Sequence, residues 1–310
     1  MLSHLHDCWF LAGPTASGKS AVGLELARLL GGEILSLDSM AVYRGLDIGT
    51  AKPSAADRQA VPHHLVDLVE PTADFSVAQY CDAAERVVQG ILDRGRAPIF
   101  VGGSPLYLKA LLRGLFDGPP ADWSLRHELA EIARREGSAA LHARLATVDP
   151  TAADRLHPND TRRLIRALEV HERTSRPISS LQTQFAAASD APCPRVFVLD
   201  WPRDKLHRRI NERVDAMFAA GWIDEVRPFC GADRTLSRTA SQAVGYREIL
   251  EYLADERDLA DTVERIKTRT RQFAKRQLTW LRSLSECRWI AVDEPFDAPR
   301  VASKIADATS

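Results

Sequence analysis

Near its start, the chain carries four residues with the types and spacing of a phosphate-binding loop. They match the pattern G-x-x-x-x-G-K-[ST] and are Gly13, Gly18, Lys19 and Ser20. In such a loop, successive backbone N–H groups and the N-terminus of a helix point at phosphate oxygens. The side chain of Lys19 adds a mobile positive charge, and the hydroxyl of Ser20 can bind Mg²⁺. The pattern predicts that this chain binds a di- or triphosphate.

The residues on either side of this loop decide whether the match is meaningful. An apolar run that begins at Cys8 leads into the loop, and apolar residues at helical spacing follow it, at Val22, Leu26, Leu29 and Leu30. A chance match would be an ordinary glycine turn before a helix. Because both neighbouring patterns are present, we expect the strand–loop–helix unit that the motif requires.

A candidate catalytic carboxylate follows the next predicted strand, over residues 33–37. Asp38 comes directly after this strand, and functional groups in open α/β sheets collect at the carboxyl ends of strands, so we expect Asp38 beside the loop. Three roles are open to it: an indirect ligand of Mg²⁺, a general base, or a cap of the next element. A carboxylate beside bound phosphate and metal is well placed to accept a proton from a nucleophile, which favours the base.

The strand predicted over residues 97–101 ends without an acidic side chain. It runs directly into a Gly-Gly-Ser-Pro turn at residues 102–105. P-loop ATPases and GTPases usually keep an aspartate on such a strand to orient Mg²⁺. Its absence argues against a hydrolysing motor or switch.

Composition places the chain among ordinary globular proteins. It has 310 residues, of which 45% are hydrophobic and 27% charged, and its formal net charge is -1. The five cysteines lie far apart with no C-x-x-C pair, which argues against a structural zinc and a disulfide framework and favours a reducing compartment. Residues 1–7 are too polar for a signal peptide, and no apolar run reaches the length of a membrane span. We expect a cytoplasmic protein with no membrane partner.

The chain changes character twice. A helical pattern without strand-like alternation runs from residue 122 to about 184, between a Pro-Gly turn at 117–120 and a linker at 186–194. A strand-poor block between two βα-type stretches predicts a helical domain inserted into a parallel-sheet core. The predicted fold is a P-loop NTPase-like parallel α/β sheet flanked by helices, with an inserted all-helical domain. The predicted bounds are 1–117 and 195–310 for the core, which ends in basic helices, and 118–194 for the insertion.

Three basic clusters contrast with the near-neutral total charge. They are Arg162, Arg163 and Arg166; Arg203, Lys205, Arg208, Arg209 and Arg213; and Arg265, Lys267, Arg269, Arg271, Lys275, Arg276 and Arg282. Any one such helix is more often a solvated charged surface. Three in one chain favour a groove for a polyanion.

The adjacent pair His63 and His64 could suggest a metal site. In extended chain, neighbouring side chains point to opposite faces, so these two imidazoles cannot easily share one ion. We interpret both as structural or hydrogen-bonding residues.

Eight stretches, taken in order, resemble the tRNA dimethylallyltransferases, also called tRNA isopentenyltransferases, over nearly the full length. They are residues 13–20, 38–53, 63–67, 75–80, 102–107, 159–170, 243–248 and 270–280. The resemblance implies transfer of a dimethylallyl group from dimethylallyl diphosphate to N6 of the adenosine just 3′ of the anticodon in tRNA. Mg²⁺ would be the cofactor, the anticodon stem-loop the macromolecular partner, and the protein a monomer.

The resemblance also implies roles for individual residues. The diphosphate would be bound by Gly13, Pro14, Thr15, Ala16, Ser17, Gly18, Lys19 and Ser20, with Mg²⁺ on the Ser20 hydroxyl. Thr15 and Arg227 would act on the diphosphate charge, and Asp38 would accept the N6 proton. The adenosine must leave its stacked loop to react. The stretches that match tRNA-contacting segments comprise Asp38, Ser39, Met40, Ala41, Ser104, Arg162, Arg163, Leu164, Ile165, Arg166, Gln242, Ala243, Val244, Gly245, Tyr246 and Arg247.

Two positions depart from the family pattern. The family usually has Gln where this chain has Ala41, and a methyl group offers none of the base-reading hydrogen bonds of an amide. Ser104 replaces the usual Thr but keeps the hydroxyl. Ala41 therefore bears on how the anticodon loop is read and leaves the reaction unaffected.

Three other functions compete with this interpretation. A small-molecule kinase would turn over ATP and would leave the basic helices unexplained. An adenylate isopentenyltransferase would prenylate free nucleotide and would not need the helical insertion. A non-enzymatic RNA-binding P-loop protein would not need Lys19, Ser20 and Asp38 together.

Overall fold

The computed structural model describes residues 3–116, 118–182, 195–231 and 234–308. The chain forms two compact units, one comprising Met1–Leu112 with Ala191–Ser310 and the other Arg113–Asp190. The linker predicted over 186–194 lies outside the described residues. The domain bounds predicted at 117 and 194 also fall on residues that the structure does not describe, so they stay predictions.

The first unit is built on a parallel sheet with the strand order β3-β2-β4-β1-β5-β6. All the pairings between these six described strands are parallel, which confirms the predicted α/β class. The strands are β1 Trp9–Ala12, β2 Glu33–Ser36, β3 His63–His64, β4 Pro98–Gly102, β5 Arg195–Asp200 and β6 Cys287–Ala291.

The helices are numbered along the chain through both units. They are α1 Lys19–Leu30, α2 Ala55–Ala60, α3 Val77–Asp93, α4 Pro105–Arg113, α5 Trp123–Glu136, α6 Ser138–Val148, α7 Pro150–Arg155, α8 Thr161–Thr174, α9 Ile178–Leu181, α10 Arg203–Ala219, α11 Trp222–Val226, α12 Tyr246–Leu253, α13 Leu259–Arg282 and α14 Ala298–Asp307. None of those within the described residues combines the length and apolar character that crossing a bilayer requires.

The middle of the sheet is covered on both faces, which explains its continuous apolar runs. All four residues of β1 are buried, and Phe10 stacks on Phe100 of β4 with ring centroids 4.9 Å apart. Alternate residues of β1 belong to different apolar clusters, Phe10 to one and Leu11 to the other. Burial on both faces is typical of parallel strands. It holds β1 in place, and the phosphate loop begins at the C-terminal end of this strand.

Local signals in the sequence account for several helix ends. Gly31 ends α1 with a left-handed backbone (φ 61°), which a glycine adopts without steric cost. Ser76 caps α3, as predicted, in a capping box in which its hydroxyl and the Gln79 side chain each bind the other residue's backbone N–H. Gly31 therefore sets the end of α1, and Ser76 sets the start of α3.

The last third of the chain differs from its predicted pattern in three places. The helix predicted from Pro202 to Val226 breaks at Gly221 (φ 95°), which separates α10 from α11. The helix predicted from Ser241 begins only at Tyr246, because Gly245 also has a left-handed backbone. Helix α14, which packs on α1, was not predicted.

The second unit consists of helices α5–α9 in its described residues, which confirms the predicted helical character of this block. Its apolar core includes Leu129, Leu141, Leu164 and Leu168. A buried carboxylate, Glu169 on α8, accepts hydrogen bonds from two arginines and one backbone N–H of the same unit. The unit therefore carries a core of its own.

Candidate active site

The phosphate loop connects β1 to α1 through three residues with positive φ. These are Gly13 (φ 151°), Ala16 (φ 62°) and Gly18 (φ 85°). Gly18 is the N-cap of α1 and has no side chain to bind the first N–H groups of the helix. A helix N-terminus left in this state is suited to an anion.

Lys19 begins α1 and folds back over the loop. Its Nζ donates to the carbonyl oxygen of Pro14 at 2.6 Å. Burial of the ammonium group and the nearby charge of Arg213 lower the pKa of Lys19 to about 7, against the opposing effect of Asp38. An anion bound in the loop would place a negative charge next to Lys19 and would raise its pKa towards the ordinary value.

Asp38 and Arg213 complete a group of three charges with Lys19. Arg213 lies on α10, where burial lowers its pKa and the carboxylate of Asp38 opposes that effect. Asp38 follows β2, and its Oδ1 accepts the N–H of Met40 at 2.8 Å. Its Oδ2 has no hydrogen-bond partner in the parts of the chain that the structure describes. Asp38 thus caps its own turn with one oxygen, and its other oxygen is unpaired among the described residues.

Two side chains fix the loops around this group. Ser104, at the start of α4, accepts the N–H of Ser39 through Oγ at 2.9 Å. Gln277 on α13 is buried; its Oε1 accepts the N–H of Thr15 at 2.9 Å and its Nε2 donates to the carbonyl of Gly103 at 2.6 Å. The sequence spacing placed Gln277 in the buried stripe of its helix and did not predict that it links Thr15 to Gly103. The signal that could have predicted this link is a polar amide among apolar residues.

Arg227 is the arginine for which the resemblance implied a role at the diphosphate, and that role stays a prediction. Its side chain is exposed, and its guanidinium lies 3.4 Å from the carboxylate of Asp224. The break at Gly221 ends α10 before this point, so Arg227 lies in a short turn after α11. Arg213 is the arginine whose charge lowers the pKa of Lys19.

The predicted tRNA-contacting residues of α8 divide by exposure. Arg162 and Arg163 are exposed, whereas Leu164 is buried in the core of the helical unit. Arg166 is partly buried, and it donates to Glu169 at 2.5 Å and lies 5.6 Å from the ring centroid of Phe116. Ile165 packs against the core of this unit. The exposed pair is therefore the part of this segment that a partner can reach.

The segment 242–247 divides in the same way. Gln242 and Arg247 are exposed, while Ala243 and Tyr246 are buried, and the Tyr246 hydroxyl donates to Glu225 at 2.6 Å. Gly245 lies against the ring of Trp222, where a Cβ would come within 2.2 Å of a ring carbon. The buried members of this segment hold the loop in place.

Ala41 is less exposed than the two residues that precede it. Ser39 and Met40 are half-buried, but the side chain of Ala41 is only 3% exposed. Val244 is also half-buried. The methyl group of Ala41 packs into the core of the first unit in this structure.

Many cations of the second and third basic clusters are paired within the first unit. The ion pairs are Lys205 with Asp293, Arg208 with Glu294, Lys267 with Asp215 and Arg269 with Glu248, whereas Arg271 donates to the neutral amide of Asn211. The clusters are therefore less positive than the sequence suggested. The two predicted structural histidines are also paired: His63 with the Val61 carbonyl and His64 with Glu33.

Comparison with known proteins identifies a family. The model of the family described as IPP transferase matches residues 41–284. A tRNA dimethylallyltransferase of Methylibium petroleiphilum is 49% identical, over 96% of this chain and 93% of that protein. The tRNA dimethylallyltransferase of Geobacter sulfurreducens is 47% identical, over 93% of each chain.

Solved structures agree. A tRNA isopentenylpyrophosphate transferase from Bacillus halodurans is 38% identical, covers 97% of this chain and 96% of its own, and has a TM-score of 0.69. A eukaryotic dimethylallyltransferase, described as acting on tRNA, is 27% identical over 97% of this chain and 77% of its own, with a TM-score of 0.77. Similarity of this extent, along nearly the whole chain, shows that the protein belongs to the tRNA dimethylallyltransferase family of enzymes.

Proposed function

We propose that this enzyme transfers the dimethylallyl group of dimethylallyl diphosphate to N6 of the adenosine that follows the anticodon on its 3′ side in tRNA. The observation that carries the proposal is the group formed by Lys19, Asp38 and Arg213. It puts two cations and a loop of N–H donors beside one carboxylate. Family membership names the chemistry that such a site serves.

In the proposed reaction, N6 attacks the first carbon of the allyl group while the bond from that carbon to the diphosphate oxygen breaks. In this proposal, Lys19, Arg213 and the loop amides stabilise the negative charge that develops on the departing diphosphate. Donors held where charge develops account for most of the rate enhancement in many such reactions. The proton that N6 loses passes to the carboxylate of Asp38.

Mg²⁺ fits this site as a partner of the diphosphate. The described residues contain no group of three or more His, Cys, Asp or Glu side chains that could hold a metal by themselves. Ser20 offers one exposed hydroxyl at the start of α1. Since Mg²⁺ prefers few protein ligands, phosphate oxygens and water, Ser20 with the diphosphate would suffice. The ion would neutralise leaving-group charge.

The anticodon stem-loop is the proposed macromolecular partner. Exposed polar residues of the predicted segments support this, namely Arg162, Arg163, Gln242 and Arg247. Arginines of this kind bind phosphates and make affinity depend on salt. The target adenosine would be flipped out of its stack to reach Asp38.

A cytoplasmic monomer is the proposed state of the protein. Among the described residues, Cys8, Cys81, Cys230 and Cys287 are not joined in disulfides. Cysteines without disulfides are usual where the compartment is reducing.

A transfer assay tests the proposal. Labelled dimethylallyl diphosphate and Mg²⁺ are incubated with the enzyme and either unmodified tRNA or AMP. We expect label in tRNA, and none when the adenosine at the target position is replaced by guanosine. Label in AMP would instead identify a nucleotide prenyltransferase, and phosphate transfer from ATP would identify a kinase; the similarity to known proteins favours neither.

A further inference from the structure

Two side chains from the C-terminal part of the first unit bind carbonyl oxygens of the phosphate loop. Trp201, which directly follows β5, donates its indole N–H to the carbonyl of Ser17 at 2.9 Å. Arg209, on α10, donates Nε–H to the carbonyl of Ala16 at 2.9 Å. Two consecutive peptide units of the loop are therefore held by side chains distant in sequence.

These donors are packed together with Phe296. The Arg209 guanidinium lies 4.4 Å from the ring centroid of Trp201 and 5.2 Å from that of Phe296. The two rings are 5.6 Å apart. Phe296 also fills the space beside Gly18, where a Cβ would come within 2.5 Å of its ring. We call Trp201, Arg209 and Phe296 the loop clamp.

The loop clamp determines where the amides of the loop point. In a planar trans peptide, the C=O and the N–H point in opposite directions. With the Ser17 carbonyl held by Trp201, the N–H of Gly18 is turned away from the clamp, and it has no acceptor in the described residues. The N–H of Ser17 is turned similarly and makes only a long contact, 3.4 Å, with the Pro14 carbonyl. Both N–H groups are thus available to an anion.

Helix α10 links the loop clamp to the charged group of the site. Arg209 and Arg213 are four residues apart on α10, so they share one face of that helix. Arg209 donates to the carbonyl of Ala16, and the charge of Arg213 lowers the pKa of Lys19. One rigid element therefore sets both the orientation of the loop and the position of the cation that faces it.

We propose that Trp201, Arg209 and Phe296 are positioning residues for the prenyl-transfer reaction, which preset the peptide planes of residues 16–18 so that the loop amides face the diphosphate before the donor binds. This inference rests on the proposed function. A loop that is already ordered loses less conformational freedom on binding, so the loop clamp raises donor affinity without touching the donor.

The test uses inorganic pyrophosphate with Mg²⁺ as the probe, measured by calorimetry on the full chain. Trp201→Phe removes the indole N–H but keeps an aromatic ring for Arg209. Arg209→Met removes the guanidinium but keeps an unbranched chain of similar reach. We expect each variant to bind pyrophosphate about tenfold more weakly, the cost of ordering roughly one backbone residue on binding. The KM for dimethylallyl diphosphate rises likewise, while the Kd for tRNA stays unchanged.

Arg195→Lys is the matched control. Arg195 lies 4.8 Å from the ring centroid of Trp9, a cation–π contact of the same kind in the same unit. It pairs with Trp9 at the start of β1, whereas the phosphate loop follows the other end of that strand. The substitution should therefore leave pyrophosphate affinity unchanged. Melting temperatures of all variants are recorded together with the Kd values.

Two results would overturn the inference. One is a variant of the loop clamp that loses melting temperature but binds pyrophosphate as the wild type does, because the residue is then only structural. The other is an equal loss of affinity in Arg195→Lys. If one clamp variant does not fold, the other decides. Failure of the proposed function is distinct, because the wild-type enzyme itself would then bind no pyrophosphate and label no tRNA.

Discussion

Asp38 caps its own turn and is also the proposed general base. One carboxylate oxygen accepts the N–H of Met40 and fixes the side chain, and the other has no hydrogen-bond partner among the described residues. The charge of this carboxylate opposes the lowering of the pKa of Lys19 and of Arg213. A base that is already held by its own turn needs no rearrangement before it accepts a proton. Ser104 supports the same turn by binding the N–H of Ser39.

Replacing Asp38 by Asn keeps the hydrogen bond to Met40 but removes the base. We expect kcat for transfer to fall by about 10²–10⁴-fold, the usual contribution of general base catalysis. The Kd for pyrophosphate and the Kd for tRNA should both change by less than about threefold, within the range of surface substitutions. Single-turnover kinetics and direct binding measure these quantities. A large loss of tRNA binding would show that Asp38 is a recognition residue.

Arg213 and Arg227 form a pair that tests the geometry of the site. Arg213→Gln removes a cation that we propose faces the departing diphosphate, so we expect kcat to fall by about 10²–10³-fold, as for loss of one transition-state donor. Arg227→Gln breaks only an exposed ion pair with Asp224, and we expect kcat within about threefold of the wild type. Steady-state kinetics compare the two. The opposite ranking would support the role that the resemblance implied for Arg227.

At the scale of elements, local signals and tertiary contacts explain different parts of the structure. The phosphate loop, the Gly31 helix end and the Ser76 capping box follow from residue types within a few positions of one another. The loop clamp and the Gln277 bridge do not, because their partners lie far apart in sequence. Helix α14 escaped prediction for the same reason, since its amphipathic pattern is short and gains its stability from packing on α1.

Helix α8 is held in its unit by a buried carboxylate. Glu169 has a side chain with 0% exposure and binds Arg126, Arg166 and the N–H of Asp122. Burial alone would raise the pKa of Glu169, but these hydrogen bonds together outweigh it and hold the pKa below its ordinary value. A lowered pKa in the folded state stabilises the protein above the unfolded value, near pH 4.3, and this contribution disappears as the pH falls through the folded value.

Glu169→Gln should therefore destabilise the helical unit by about 3 kcal/mol at pH 7, the lower range for breaking a buried pair. The free energy of unfolding in urea, followed for the full chain from pH 7 to pH 3, measures the effect. The variant should also lose less stability than the wild type below about pH 4.3. Glu172→Gln on the same helix breaks an exposed pair with Arg144 and should cost under about 1 kcal/mol. Equal effects of the two substitutions would contradict this account.

At the scale of the whole molecule, basic side chains that remain exposed are the ones expected to contribute to tRNA affinity. Arg162→Ala with Arg163→Ala should weaken tRNA binding and reduce the slope of log K against log salt by about 1.5, since two phosphate contacts are lost. Filter binding at several salt concentrations measures the slope. Arg134→Ala with Arg135→Ala on α5 changes the net charge equally at another exposed site and serves as the control. Equal slopes for both double variants would mean that only net charge matters.

The sequence predicted the α/β class, the helical character of the insertion and the strand–loop–helix unit around residues 13–20. It did not predict that Arg213 lies beside Lys19 and Asp38, because spacing along a predicted helix does not say which basic residue turns towards the loop. Arg213 lies in the middle of that predicted helical stretch, and Arg227 lies just beyond its end. Charge pairing likewise removed many cations from the second and third basic clusters, and the partners that did so could not be read from spacing.

The strand order has a consequence for the folding of the chain during its synthesis on the ribosome. Strand β1, which carries the phosphate loop, pairs with β4 on one side and with β5 on the other, and β5 follows the helical unit in sequence. While the first half of the nascent chain emerges, β1 has an open edge, which is a template for mispairing. Trp201 and Gln277, whose side chains bind the phosphate loop, also follow the helical unit in sequence. We therefore expect the loop to reach its final arrangement, and with it the proposed capacity to bind diphosphate, only late in synthesis.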